Sequence, residues 1–273
     1  MPILLGLLAS VLIGTSDFFG ARSAGRTTPL QSTTVAFLAG AGMVAVYSPF
    51  LGSPTARDLA LGALSGVAAL VALTTLWWAY SRSSVGVAAP IAAVLSAVLP
   101  VFYDAARGEM PGALGWSGVA IGAAALVLTS WAPRAVNLRD GIVLGGVAGV
   151  AFAAMFLIAV ESSPDAGTWP VVSQRGAAFV LAVAIGLATR RQPVADFASA
   201  KWSVLAGMTG ASGVAAVVYG GQRYPVAPVV VSGSMYPMVV VTLAWLFMNQ
   251  RLRPAQIVGL GAALLGVALI ALD

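Results

Sequence analysis

Ten apolar runs divide this chain, each close to the roughly 20 residues that a helix needs to cross a bilayer, and short polar connectors separate them. They lie at 3–21, 32–51, 59–80, 86–104, 112–131, 141–160, 171–189, 202–220, 227–248 and 255–272. Hydrocarbon offers the backbone no hydrogen-bond partner, so peptide groups at membrane depth must be satisfied within the spanning segments. A helical bundle follows. The connectors carry turn and breaker residues, as in "GSPTARD", "RGEMPG", "SSPDAGTWP" and "NQRLRP". The longest is about a dozen residues, which leaves no room for a soluble domain.

Composition agrees. Of 273 residues, 59% are hydrophobic and only 8% charged, against about 25% charged in a soluble domain. The 31 glycines suit helices that pack closely in lipid. A formal charge of +5 raises nucleic acid as a partner in a soluble protein. Here Lys and Arg sit mostly in connectors, which points to an anionic lipid surface and no nucleic acid. The chain has no cysteine, which excludes disulfides and thiolate ligands, and no histidine, so a proton relay must use Asp or Glu. No metal cluster, haem ligand pair or cofactor motif is present in the sequence, and no cofactor is expected. The first apolar run has no positive segment ahead of it and reads as a membrane helix rather than a cleaved signal.

The runs split five and five near Pro133–Arg139, giving domains 1–133 and 134–273. "SAVLP", ending at Pro100, parallels "GSMYP", ending at Pro237. "YSRSSVGVA" from Tyr80 parallels "YGGQRYPVA" from Tyr219. Each half ends in a polar turn and a Gly/Ala-rich helix, "WSGVAIGAAALVL" and "IVGLGAALLGVALI". Five spans is an odd number, so the second copy lies upside down relative to the first. The expected fold class is an all-α polytopic membrane protein of ten transmembrane helices, arranged as two inverted five-helix repeats. That is the plan of many secondary transporters.

"GTSDFFGARSAGR" near the start resembles the opening of EamA-type members of the drug/metabolite transporter superfamily. "VAAPIAAVLSAVLPVFYDAARGEMPG" and "SMYPMVVVTLAWLFMNQRLRPAQIVGLGAALLGVALI" are similar to the two family signatures, each running from a Pro-containing fourth helix through a polar turn into the fifth. The resemblance covers essentially the whole chain. It implies a ten-helix, two-repeat bundle that moves small metabolites, often as an exporter, by proton antiport or exchange. The turns differ: Glu109 in the first, Gln250 in the second, with Met110 where the first turn's Arg is expected. The halves are therefore not equivalent.

Asp17 is the most informative residue. It lies about four residues from the end of the first run, roughly 6 Å by helical rise. A carboxylate near mid-membrane costs on the order of 2.5–3.5 kcal/mol, so such acids usually face a cavity or a partner. Two readings stand: a protonatable coupling group or counter-ion, or an anchor at the interface. Thr15 and Ser16 beside it either satisfy backbone carbonyls or line a polar path. Arg175, five residues into the seventh run with Gln174 beside it, either snorkels to the headgroups or binds an anionic group. An Asp17–Arg175 coupling is one expectation. Trp77, Trp78 and Tyr80 read as an interfacial belt or, for Trp78 and Tyr80, as cavity lining. Tyr219, Ser232 and Tyr236 are cavity-lining candidates in the second half. Pro90, Pro100 and Pro237 are candidate hinges or static packing features. Asp104 and Glu109 read as turn residues.

The sequence favours a secondary transporter, expected to export a small organic metabolite or drug-like compound, in a multi-pass cell membrane location. Its partners are the lipid bilayer, the solute and, as coupling ion, protons. The Gly-rich faces also suit a homodimer. A membrane-embedded enzyme acting on lipid, which usually clusters acids and histidine at one face, is the alternative, together with a non-transporting helical bundle. No enzyme activity is expected.

Orientation follows from basic residues. Connectors after odd-numbered spans hold Arg22, Arg26, Arg82, Arg134, Arg139, Arg190, Arg191, Lys201, Arg251 and Arg253; those after even-numbered spans hold Arg57, Arg107 and Arg223. The positive-inside rule then puts the odd connectors in the cytoplasm and both termini outside. A tag fused after Asp273 is expected to react with membrane-impermeant reagents in intact cells. Protection of that tag from such reagents overturns the orientation.

Overall fold

The structure, a computed structural model, describes residues 2–24, 26–106, 108, 110, 112–130, 137–190, 192, 194, 197–224, 229, 232–233, 235–248 and 254–272. Among these, the long elements are all helices: α1 (Pro2–Ala24), α2 (Pro29–Tyr47), α3 (Ala56–Arg82), α4 (Val85–Ala106), α5 (Ala113–Ser130), α6 (Leu138–Val160), α7 (Trp169–Ala188), α8 (Phe197–Gly221), α9 (Tyr236–Met248) and α10 (Pro254–Ala271). Seven described helices are long and apolar enough to cross a membrane. The described apolar stretches of α5, α9 and α10 are shorter, Ala113–Gly122, Tyr236–Met248 and Ile257–Ile270. Glu109 and Gln250 lie outside the described residues.

Local chemistry sets the boundaries. Thr28 caps α2 and Thr55 caps α3, each in a reciprocal capping box, with Gln31 and Asp58. The second run was expected to reach residue 51, but α2 ends at Tyr47 and a 3₁₀ turn follows at Ser48–Phe50. Pro49 lacks the N–H that would continue the helix. The ninth run was expected from residue 227; Val229, Ser232 and Gly233 are helical, and α9 is described continuously from Tyr236.

Neighbours pair in a regular way. α1 packs on α8 and α9, α6 on α3 and α4, and α7 on α2 and α3. α2 also packs on α8, α5 on α10, and α4 on α9. Glycine permits several of these approaches. A Cβ at Gly207 of α8 would overlap the Ala36 carbonyl of α2, and one at Gly118 of α5 would lie 2.6 Å from the Gly266 carbonyl of α10. In lipid, where burial of apolar surface between helices gains little, such backbone contact is a main source of cohesion.

The connectors sort onto two ends. Gln31 donates to the Gln192 carbonyl at 3.1 Å and Arg82 pairs with Asp140 at 3.3 Å, which joins odd-numbered connectors at one end. The Ser53 N–H donates to the Asp165 carbonyl at 2.8 Å, and Arg223 to the Pro164 carbonyl at 2.7 Å, joining even-numbered connectors at the other. The charge asymmetry of the sequence is therefore an asymmetry between two faces of one bundle.

Replacing Gly207 by Ala is expected to destabilise the fold by about 1–3 kcal/mol through overpacking. Gly42, whose Cβ would meet nothing within 4 Å, should tolerate Ala or gain about 0.5–1 kcal/mol. Thermal unfolding of the two variants in detergent compares them directly; equal midpoints would contradict the packing assignment.

Candidate functional site

The segment Gly14–Gly20 puts Asp17 inside the bundle, at 2% exposure. Asp17 does not face the headgroups. The Trp77 Nε1–H donates to its Oδ1 at 3.4 Å and the Tyr80 hydroxyl donates to its Oδ2 at 3.2 Å. Trp77 and Tyr80 are three residues apart on α3 and so share one face. The glycines flanking Asp17 make this approach feasible. A methyl at Gly20 would overlap the Trp77 ring, and one at Gly14 would stand 2.7 Å from the Tyr236 carbonyl of α9. Tyr236 lies within electrostatic reach of Asp17 and Tyr80, and its hydroxyl donates to the Ala89 carbonyl at 3.4 Å. Both bonds to Asp17 are longer than the ~2.7–2.9 Å of a strong charge-assisted bond. The carboxylate is accompanied rather than clamped.

Arg175 is also buried, at 6% exposure, so it does not snorkel. Its guanidinium carbon lies 5.5 Å from the centre of the Phe37 ring. Gln174 is fully buried, and its Nε2 donates to Ser65 Oγ at 3.0 Å. The expected Asp17–Arg175 pair is not formed. Gln174 is anchored at Ser65 and Asp17 at Trp77, 12 residues further along α3, or about 18 Å of helix.

The other expected residues disperse. Trp78 is not cavity lining: it is 41% exposed and its ring lies against Arg82 at 5.2 Å. It points away from Trp77 because adjacent helical residues face different directions. Trp77 and Tyr80 are buried and so are not an interfacial belt. Ser16 donates to the Ala206 carbonyl of α8 at 2.8 Å, a structural bridge, and Thr15 is half-buried. Ser232 is buried and donates to the Val229 carbonyl at 3.3 Å. Tyr219 lies under Arg223, 3.7 Å from ring centre to guanidinium, beside a groove of about 400 Å³. Tyr236 borders a separate enclosed cavity of about 30 Å³ with Ile13, Ser96, Phe152 and Val214. Pro90 and Pro100 fall inside α4, but Pro237 is the second residue of α9.

Sequence reading missed one cluster. Asp58 is buried at the end holding the even-numbered connectors. Its carboxylate accepts from the Ser163 N–H at 2.8 Å, the Ser163 hydroxyl at 3.0 Å, the Thr55 N–H at 2.9 Å and the Thr55 hydroxyl at 2.7 Å. The Trp169 indole donates to the Gly52 carbonyl at 3.0 Å, and the Ser48 and Thr168 hydroxyls bond at 2.8 Å. These bonds lock the connector after α2 to the one after α6. "TARD" was legible as a capping box, but its second partner is 105 residues away.

Residues 139–272 match the model of the EamA-like transporter family. No curated protein matches the chain. One solved structure, described as "Crystal structure of protein", superposes with a TM-score of 0.72 at 16% identity, covering 99% of this chain and 96% of that one. A likeness at that identity shows a shared fold.

Asp58→Ala strands the Ser163 and Thr55 donors, and is expected to cost about 1–3 kcal/mol. Hydrogen exchange should rise at residues 161–168 more than at Gln174–Ala188. Unchanged protection there removes the interlock from the fold's account.

Proposed function

We propose that this chain, which belongs to the EamA-like transporter family of the drug/metabolite transporter superfamily, is a proton- or exchange-coupled secondary transporter, working as an exporter of a small organic solute across the cell membrane. The observation that carries the reading is Asp17: a buried carboxylate at membrane depth, held by two long hydrogen bonds. Intramembrane acids of this kind mark ion and proton pathways.

The pairing of helices supports an inverted repeat. Advancing each helix by five turns α1–α8 into α6–α3, α2–α8 into α7–α3, and α1–α9 into α6–α4, all of them observed packings. α2–α7, α5–α10 and α4–α9 map onto themselves. A two-fold relation between halves of opposite orientation produces this pattern, and it gives the bundle two equivalent ways to rock about a central site.

Ionised Asp17 accepts from Trp77 and Tyr80, and so ties α1 to α3. On protonation one carboxyl oxygen becomes a donor, and one of the two bonds must be lost or reversed. The proton therefore changes the packing of α1 against α3. Tyr80 and Tyr236 are the titratable groups facing it. Asp17 lies seven residues before the end of α1, about 10 Å from the basic face. At the far end the Asp58–Ser163 interlock holds the connectors together. Alternating access requires the interlock to release as the basic face closes. We assign the basic face to the cytoplasm.

Proton-driven flux in proteoliposomes, measured over a metabolite panel with and without a pH gradient, tests the reading. Asp17→Asn keeps an acceptor for Trp77 and Tyr80 but cannot exchange a proton. It should lose gradient-driven flux while retaining solute exchange. An unaltered pH dependence in that variant removes Asp17 from coupling, and no flux for any solute from folded wild-type protein overturns the transport reading.

A further inference from the structure

We infer that Arg175 and Gln174 form the binding site for a small monocarboxylate that carries a hydroxyl or N–H donor next to its carboxylate. This names the solute class of the transporter proposed above and rests on that reading.

Arg175 is the anomaly. A cation at membrane depth is costly unless it is paired. The one ion pair among the described residues is Arg82–Asp140, at the bundle's surface. Arg175 Nε has no hydrogen-bond partner. The acid best placed by sequence to neutralise it, Asp17, is held about 18 Å along the bundle by Trp77 and Tyr80. The Phe37 ring at 5.5 Å gives cation–π contact, which offsets only part of the cost of removing a guanidinium from water. Its Nε–H is left free, on a planar guanidinium of the kind that fits a carboxylate bidentately.

Gln174 supplies the complementary half. Ser65 donates its hydroxyl hydrogen to the Gly62 carbonyl at 2.8 Å, so toward Gln174 it can only accept. That fixes the amide with Nε2 on Ser65 and leaves Oε1 as the free atom. Oε1 is buried and has no partner. Gln174, turned toward Ser65 of α3, and Arg175, turned toward Phe37 of α2, thus hold an unused acceptor and an unused donor between these helices and α7, both side chains more than nine-tenths buried. A carboxylate with an adjoining donor answers both.

Charge selects the monoanion. One fixed cation neutralises one carboxylate. A phosphate ester, at about −1.5 to −2 near neutral pH, brings surplus charge that no second described cation here offsets. A neutral solute leaves the guanidinium uncompensated. Tyr47, within electrostatic reach of Arg175, also borders the groove of about 400 Å³ with Thr168 and Ser212, which offers an approach from the end opposite the basic face.

The test uses the full chain purified in detergent, with calorimetric titration of glycolate, acetate, methyl glycolate and phosphoglycolate. Glycolate should bind tightest and acetate more weakly. The uncharged ester and the phosphate ester should bind least. Arg175→Gln should weaken glycolate by about tenfold or more, and Arg175→Lys, which keeps the charge without the fork, by less. Gln174→Leu should bring glycolate down to the level of acetate. Because Arg175 has no ion pair to lose, Arg175→Gln should unfold at the same temperature as the wild type or higher. Equal glycolate binding by wild type and Arg175→Gln, no carboxylate binding by the wild type, or a lowered unfolding temperature in Arg175→Gln each overturns the site. Wild-type protein that moves a neutral or cationic solute but binds no carboxylate overturns this inference and leaves the transport reading standing. Protein that binds glycolate yet moves no solute in proteoliposomes does the reverse.

Discussion

Hydrocarbon neither donates nor accepts a hydrogen bond, and the whole structure answers that constraint. Backbone groups close on themselves in helices. Small side chains give up their own bulk so that helices cohere by backbone contact, as Gly207 does against Ala36 and Gly118 against Gly266. Hydroxyls return to their own helix: Thr34 donates to the Leu30 carbonyl at 2.7 Å, Ser48 to Val44 at 2.8 Å and Thr209 to Leu205 at 2.7 Å. A polar side chain treated in this way needs no partner elsewhere.

Among the described residues, three buried charged side chains depart from that economy, and they differ in how completely they are satisfied. Asp58 has four donors, from its own cap and from Ser163 across the bundle, and functions as a structural fastener. Asp17 has two donors at long range, which a change of protonation can rearrange. Arg175 has an aromatic face and no hydrogen bond to its Nε. Stability alone would have completed or removed the last two, because unpaired buried polar groups are costly. In the transport cycle proposed above, a proton or solute supplies the missing interaction in one stage and withdraws it in another. A direct Asp17–Arg175 pair would satisfy both groups, and on the proposed reading would leave nothing for a ligand.

Much of the architecture was legible. Apolar run length and breaker residues located all ten described helices, with an error where proline ended α2 early. Basic residues sorted onto two faces before any contact was known. The site was legible only by residue type. Asp17 and Arg175 stood out because charge is rare in such runs, but a charged residue near a helix end has no sequence signature for which way it points. Trp77 and Trp78 are adjacent and chemically identical, yet one is fully buried against Asp17 and the other is 41% exposed beside Arg82. The three-residue step from Trp77 to Tyr80 was the available hint, since it places two polar-tipped aromatics on one helical face.

By itself the sequence determined the helices, their number among the described segments, the sidedness of their connectors and the scarcity of titratable groups. These follow from composition and chain-local periodicity, because each helix satisfies its own backbone whatever its neighbours are. Only the tertiary structure decided that Asp17 meets Trp77 and Tyr80, that Arg175 meets no acid, and that Asp58 fastens two distant connectors. Those outcomes depend on how each helix is rotated about its own axis, a quantity set by glycine-mediated contact with partners up to 190 residues away, as in the Ser16–Ala206 bond. Nearly uniform apolar helices carry almost no periodic signal of that rotation, so it had to be settled by packing.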